Sequence, residues 1–304
     1  MLEQKPTFIP CENLFKASSN FLFTQYYESL LFERLERKVN EIQKDVEYFK
    51  GSLDDAFLIA LFKYFGAPAN KQPFEILARS VKLHQIIKQA TSIEQVEALL
   101  FGLAGLLNGQ DEYAQKLENE FEFLKTMYKL ETILDTRNWK FSNVRPPNFP
   151  TVRLAQLAAL LFKEQRLLNT LLEANSKNTF YKILETDTSN YWKTHYNFGK
   201  TSKPRTKKLT TAFCDKILIN VVAPFLFFYG KYKGEDKYID QSIDLLTEIE
   251  VENNSIIKKY KDLQWPVENA FDSQALLELK SNYCATKKCL HCRIGYEVLS
   301  LKSK

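Results

Sequence analysis

The sequence is poor in the residues that many enzyme motifs require. Its 304 residues include only nine glycines and three histidines, whereas glycine usually makes up about 7% of a chain. Tight hairpins and phosphate-binding loops both need glycine. This scarcity favours helices and counts against a nucleotide-binding fold. Three histidines, His84, His195 and His291, also offer little to a histidine-centred acid–base mechanism.

The common catalytic motifs are missing from the sequence as well. It contains no Walker loop, GxGxxG, HExxH or GxSxG pattern. Asp272 followed by Glu278 and Lys280 resembles the carboxylates and lysine that hold magnesium in some nucleases. Those sites usually lie on strands, whereas Ser273 to Lys280 has a helical pattern. We therefore assign no catalytic residue and do not expect this chain alone to be an enzyme.

Long apolar runs and a signal peptide are absent from the sequence too. The longest apolar stretch, Ile217 to Tyr229, contains Asn220 and Pro224 and is shorter than the ~18 residues of a membrane span. The N-terminus lacks a basic start followed by an apolar core. We predict a cytoplasmic protein that does not bind a membrane, and in that compartment the five cysteines do not form a disulfide framework.

Helical periodicity runs through most of the chain. Apolar residues recur at three- and four-residue steps from Asn20 to Phe49. Ser52 is a good N-cap for a helix that stops at Gly66, and Thr91 with Ser92 resembles a capping box. The pattern predicts an all-α fold, a multi-helix array or irregular bundle with one continuous core. We expect a single helical domain over residues 1–304, with a candidate subdomain break near 134–150.

Three cysteines near the C-terminus have the spacing C-x4-C-x2-C, at Cys284, Cys289 and Cys292. Two thiolates separated by two residues can bind zinc or an iron of an iron–sulfur cluster. A closed site needs a fourth ligand, and we favour Cys11; the other candidates are Cys214, His195 and His291. The alternative is that these cysteines are buried as small apolar side chains.

A basic segment lies between Gly199 and Leu209. It contains five cations and no acid, namely Lys200, Lys203, Arg205, Lys207 and Lys208. Since the whole chain carries a net charge of +5, the rest sums to about zero. Aromatic side chains precede the segment at Trp192, His195, Tyr196 and Phe198. Cations beside aromatic rings suit phosphate contact and base stacking, although a solvated loop between helices is the alternative interpretation.

Two arginines flank the sequence Pro-Pro-Asn-Phe-Pro that ends at Pro150. Arg145 and Arg153, with Asn148 and Gln156 nearby, could bind an anion at a helix start. We favour a structural role, in which these polar side chains hydrogen-bond the loop backbone.

Several segments resemble one known family. They are FIPCEN at 8–13, LLFERLERK at 30–38, EALLFGLAG at 97–105, RPPNFPTVRLAQ at 145–156, YWKTHY at 191–196, and DSQALLELK with the cysteine triplet at 272–292. Together they resemble a bacterial domain-of-unknown-function family (number 2851), found mostly in Bacteroidetes. The family has no established catalytic residues, so the resemblance assigns none here.

Longer members of that family begin with a further segment that is similar to metal-dependent nuclease cores. The resemblance therefore implies that this chain is a helical region lacking the nuclease-like segment. We predict a non-catalytic helical module that accompanies a nuclease-like domain, in cis or in trans, and contacts nucleic acid through the basic segment. The alternative is a stand-alone protein-interaction scaffold that does not bind nucleic acid.

Overall fold

The computed structural model describes residues 7–12, 20–107, 109 and 111–296. Within these residues the regular secondary structure is helical apart from one short hairpin and an isolated bridge between Glu250 and Asn269, which confirms the predicted all-α class. The helices are α1 (Asn20–Tyr48), α2 (Leu53–Gly66), α3 (Lys71–Ser80), α4 (Leu83–Ile87), α5 (Ile93–Leu103), α6 (Glu112–Tyr128), α7 (Pro150–Lys163), α8 (Leu167–Glu173), α9 (Lys177–Leu184), α10 (Thr211–Ile217), α11 (Ala223–Lys233), α12 (Asp236–Glu248), α13 (Ser255–Asp262) and α14 (Ala270–Glu278). The hairpin consists of β1 (His195–Asn197) and β2 (Lys200–Thr201).

The predicted helix starts are confirmed at two positions. The Ser52 hydroxyl accepts a hydrogen bond from the backbone N–H of Asp55 at the start of α2, which ends at Gly66 as predicted. The Ser92 hydroxyl accepts from the N–H of Gln95, and the Gln95 side chain accepts in return from the N–H of Thr91 at 2.9 Å. Both arrangements satisfy N–H groups that a helix start leaves without a partner.

The chain divides into two compact units, residues 1–41 with 226–304 (unit 1) and Ile42–Phe225 (unit 2). In unit 2, α5 packs against both α6 and α7, and α2 packs against α3. A Cβ atom at Gly102 of α5 would lie 2.2 Å from the Phe121 ring of α6, so only glycine permits this approach. In unit 1, α12 and α13 both pack against α14.

Residues 134–150, where we predicted a subdomain break, lie inside unit 2. The segment includes Trp139, which is buried and donates its indole N–H to the carbonyl of Ala104 at 2.8 Å. The Asn70 side chain accepts from the N–H of Lys140 and donates to its carbonyl. These bonds fasten the segment to the helices of its own unit. The prediction of one domain with a break at this segment stays a prediction.

Pro224 does not end the helix in which it lies. A proline ring clashes with the carbonyl four residues earlier and donates no hydrogen bond. Residues Leu218–Val222 form a wider π turn, and the N–H of Ala223 bonds the carbonyl of Leu218. The wider turn accommodates the ring, so α10, the π turn and α11 follow one another without interruption.

In the part of the chain that the structure describes, Thr211–Lys233 is the one helical stretch long and apolar enough to cross a membrane. However, 67% of its apolar window is buried inside the protein, and a buried core helix has the same length and composition. The predictions of a cytoplasmic location and of no membrane binding stay predictions.

Candidate nucleic-acid interface and cysteine cluster

The basic segment begins in a β-hairpin that the sequence analysis missed. β1 and β2 are antiparallel, with Asn197 opposite Lys200, and Gly199 in the turn has φ +70°. A left-handed backbone of this kind favours glycine. Strands of three and two residues are too short to show an alternating pattern. The single available signal is the glycine at the turn.

Contacts from two helices hold the hairpin in place. The N–H of Gly199 donates to the carboxylate of Asp111, the N-cap of α6, at 2.7 Å. The Thr151 hydroxyl, in the first turn of α7, donates to the carbonyl of Tyr196 at 2.5 Å. Beyond the hairpin, the N–H of Arg205 donates to the carbonyl of Lys193 at 2.8 Å. The basic segment is therefore fixed to unit 2 at both ends.

Four of the five predicted cations are exposed, namely Lys200, Lys203, Arg205 and Lys208. Lys208 lies 3.6 Å from the carboxylate of Glu185. Lys207 differs from the others, because it is only 5% exposed and its ammonium donates to the carbonyl of Trp192. That placement removes Lys207 from the surface that a phosphate backbone could reach.

The predicted base-stacking role of the preceding aromatic residues is wrong for two of them. Trp192 is fully buried and stacks on Phe101 with ring centroids 5.1 Å apart, and Phe198 is buried against the same ring. His195 stacks on Tyr191 at 3.9 Å. These rings belong to the core and to the packing under the hairpin, because burying large aromatic surface stabilises the fold.

A buried carboxyl group lies next to Trp192 and was missed by the sequence analysis. Glu97, in α5, is fully buried and accepts hydrogen bonds from the Tyr113 hydroxyl at 2.8 Å and from the Trp192 indole at 3.0 Å. Burial raises the pKa of Glu97 to about 7, although both hydrogen bonds lower it. The signal in the sequence was a single acid in an otherwise apolar stretch from Val96 to Leu107.

The predicted metal ligands of unit 1 lie in three segments. Cys11 lies in a turn within residues 7–12, and Cys284 ends the π-helical segment Leu279–Cys284. Cys289 begins one turn of 3-10 helix, Cys289–His291, which Cys292 follows. The Cys292 sulfur is 3.0 Å from the Tyr26 hydroxyl and accepts from the N–H of Gly295 at 3.5 Å. A Cβ atom at Gly295 would lie 2.3 Å from the carbonyl oxygen of Cys289. Glycine is therefore required where the chain folds back over the cysteine turn.

Two of the four predicted thiols have raised pKa values. The pKa of Cys11 is raised to about 11, mainly by burial and secondarily by the neighbouring Cys292. Burial raises the pKa of Cys284 to about 12, with added contributions from Cys292 and Cys11. Neutral thiols are thus favoured without a metal. Among the described side chains, no group of three or more His, Cys, Asp or Glu is arranged to hold a metal ion, so the zinc or iron–sulfur site stays a prediction.

The nuclease-like spacing at Asp272, Glu278 and Lys280 does not form a carboxylate site. Glu278 is buried at the end of α14, and its carboxylate accepts from Arg37 at 2.7 Å and lies 3.6 Å from Arg34. The Lys280 ammonium donates to the carbonyl of Phe8. These partners give both side chains structural roles, in keeping with the predicted helix.

The described residues thus define an all-α protein with a fixed basic hairpin in one unit and a cysteine cluster in the other. A family model described as "protein of unknown function (DUF2851)" matches residues 1–255. The match covers well over half of the chain, so the chain belongs to this family. No curated protein and no solved structure matches it.

Proposed function

We propose that this chain is a non-catalytic helical module that contacts nucleic acid through the exposed cations of its basic segment. One observation carries the proposal. Lys200, Lys203 and Arg205 are exposed on a segment fixed at both ends, and no described acid forms an ion pair with any of them. Since the rest of the chain sums to about zero, the five cations of this segment account for the net charge of +5.

The physical basis of the contact is the release of counterions from the phosphate backbone. Cations on a fixed segment lose less conformational freedom on binding than cations on a mobile loop. With Trp192 and Phe198 buried, two of the four neighbouring rings cannot stack on bases, and phosphate contact is the main interaction available. We therefore expect binding with little sequence preference and a steep dependence on salt.

The partner in this proposal is a nuclease-like domain, in the same polypeptide or in another, within the bacterial cytoplasm. The support is the resemblance of the segments quoted above to longer family members. In such an arrangement the helical module holds the nucleic acid while the partner performs the chemistry. A zinc ion or iron–sulfur cluster at the cysteines would have a structural role.

The test is fluorescence anisotropy with a labelled oligonucleotide across a salt series. Wild-type protein should bind at low salt. Changing Lys200, Lys203 and Arg205 together to Gln should make the slope of log K against log salt less negative by about two to three, since each lost phosphate contact removes about 0.7 to 0.9. Lys207 stays unchanged, because it is buried and bonded to the Trp192 carbonyl.

The matched control removes the same charge from exposed positions elsewhere in unit 2, with Lys71, Lys88 and Lys129 changed to Gln. It should bind with a slope close to that of wild type. If both triple variants lost the same amount of affinity for the oligonucleotide, binding would depend on the total charge of the protein and not on the basic segment. Absence of binding by the wild type at low salt would contradict the proposal directly.

The second candidate is a protein-interaction scaffold, favoured by an apolar cavity of about 180 Å³ in unit 2. Phe123 and Met127 line it and are each 55% exposed, which is unusual for such large apolar side chains. An amphipathic helix of a partner protein would fit such a surface. If the wild type binds no nucleic acid, this candidate becomes the better explanation.

A further inference from the structure

A cavity of about 320 Å³ lies beside the start of α7 in unit 2. Its walls come from the end of α2, the turn after it, and the segment that precedes α7. Two arginines line it, Arg145 and Arg153, and no acid does so among the residues that the structure describes. The cavity therefore contains positive charge with no negative side chain to balance it.

Arg153 is held firmly in the wall of this cavity. Its guanidinium lies 3.8 Å from the centroid of the Phe213 ring. It donates to the side-chain oxygens of Gln156 at 2.9 Å and Asn148 at 2.6 Å. Both partners are neutral, and burial lowers the pKa of Arg153 to about 10. The side chain remains charged at neutral pH in a fixed position.

The structural role that we favoured for these side chains stays a prediction. Arg153 bonds two side-chain amides, and Gln156 in turn donates to the carbonyl of Lys207 at 2.9 Å. A guanidinium has five N–H donors, and the half-buried Arg153 has no acid beside it among the residues that line the cavity. An anion in the cavity would supply both the missing charge and further acceptors.

We propose that this cavity binds the phosphate group of a small phosphomonoester, with Arg153 and Arg145 as its charged ligands. Guanidinium groups match phosphate geometry with paired hydrogen bonds. The positive end of the 14-residue helix α7 begins at Pro150, which also lines the cavity. Two cations without an acid suit a dianion better than a singly charged carboxylate.

The size and lining of the cavity indicate the rest of the ligand. A volume of about 320 Å³ is at the lower end of the range for small-molecule sites and exceeds the needs of a phosphate ion. Phe65, Phe74, Pro68 and Val144 supply apolar walls. We therefore assign the remaining space to a small organic group attached to the phosphate.

The experiment is isothermal titration of the full chain with inorganic phosphate at constant ionic strength. We expect saturable binding to one site, together with a melting temperature that rises with phosphate concentration. Arg145→Ala and Arg153→Met should each weaken binding at least tenfold. Arg145 is exposed, so its variant keeps the test valid even if Arg153→Met does not fold.

The matched control is Arg137→Ala, which removes an arginine that is 89% exposed and paired with Asp135. It should bind phosphate as wild type does. The variant with Lys200, Lys203 and Arg205 changed to Gln should also retain binding, which separates this site from the basic segment.

Three results would overturn the proposal. One is the absence of saturable phosphate binding by the wild type. Another is wild-type affinity for phosphate in both Arg145→Ala and Arg153→Met. Loss of phosphate binding only in the variant of the basic segment would count in the same way, since either result would place the ion outside the cavity. The third concerns the chemistry of the ligand. Acetate should bind at least tenfold more weakly than phosphate, and phenyl phosphate should bind at least as tightly as phosphate. Tighter binding of acetate than of phosphate, or weaker binding of phenyl phosphate than of phosphate, would exclude a phosphomonoester site.

Discussion

At the scale of single residues, the burial of Trp192 determines which side chain of the basic segment is drawn into the protein. Lys207 and Lys208 are neighbours of the same type, yet one ammonium is buried against the Trp192 carbonyl and the other is exposed. Periodicity cannot separate them, because the segment is neither helix nor strand. Only the tertiary packing of Trp192 determines which lysine is drawn inward.

Glu97 gives a prediction about pH. Its folded-state pKa of about 7 lies above the ordinary value of 4.5, so the folded protein holds this proton more tightly than the unfolded chain does. The contribution of Glu97 to stability is thus greatest below about pH 4.5 and falls as pH rises through 7. The expected fall is on the order of 3 kcal/mol.

Changing Glu97 to Gln should remove this fall in stability. The free energy of unfolding of the variant, relative to that of wild type, should therefore increase between pH 5 and 8. Urea unfolding at a series of pH values measures the difference. Glu122→Gln is the control, because Glu122 is exposed and pairs with Lys125 on the surface; its difference from wild type should stay nearly constant. A constant difference for Glu97→Gln as well would contradict the raised pKa.

At the scale of elements, helix bounds were predictable where the sequence contains a capping residue at the start or a glycine or proline at the end. α2 begins after Ser52 and ends at Gly66 as expected. The apolar pattern from Thr151 to Glu173 is that of one continuous helix, yet the structure has a break between Lys163 and Leu167. Neither proline nor glycine marks that break, and the Gln165 side chain donates there to the carbonyl of Ala90. Such a bond between distant residues leaves no local signal.

Asp111 gives a prediction at this scale, because it joins two elements. Its carboxylate caps α6 by accepting from Ala114 at 2.8 Å and holds the hairpin turn by accepting from Gly199. Asp111→Ala should cost about 0.5 to 2 kcal/mol for the lost cap. It should also accelerate hydrogen exchange at the Gly199 amide, which loses its 2.7 Å bond to Asp111 and keeps only the 3.3 Å bond to the Tyr191 hydroxyl.

The control for Asp111 is Ser176→Ala, which removes the cap of α9 without touching the hairpin. It should lower stability by a similar amount and leave exchange at Gly199 unchanged. Unaltered exchange in the Asp111 variant would show that other contacts hold the hairpin. Peptide-level exchange measured by mass spectrometry over residues 195–201 distinguishes these outcomes.

At the scale of the whole molecule, the cysteines show what spacing can and cannot reveal. The C-x4-C-x2-C pattern is local and could be recognised in the sequence. Whether Cys11 joins the other three cysteines as a ligand depends on how residues 7–12 pack within unit 1, and no local rule predicts it. Among the described side chains no group of three or more His, Cys, Asp or Glu is arranged to hold a metal ion, so Cys11 as the fourth ligand stays a prediction.

The last prediction therefore concerns metal content. Protein purified without chelator should carry about one equivalent of zinc, or show iron–sulfur absorbance, with Cys11, Cys284, Cys289 and Cys292 as ligands. Because the pKa values of Cys11 and Cys284 are raised to about 11 and 12, binding must displace thiol protons. Affinity should accordingly rise with pH. Chelation should lower the melting temperature sharply, since a structural zinc can contribute on the order of 10 kcal/mol to folding.

Cys289→Ser and Cys11→Ser should each abolish metal loading, whereas Cys214→Ser, in unit 2, should leave it intact. Elemental analysis near zero, with all thiols titrating as free, would show that the cluster is packed as apolar side chains; Cys→Ser would then cost only about 1 to 3 kcal/mol.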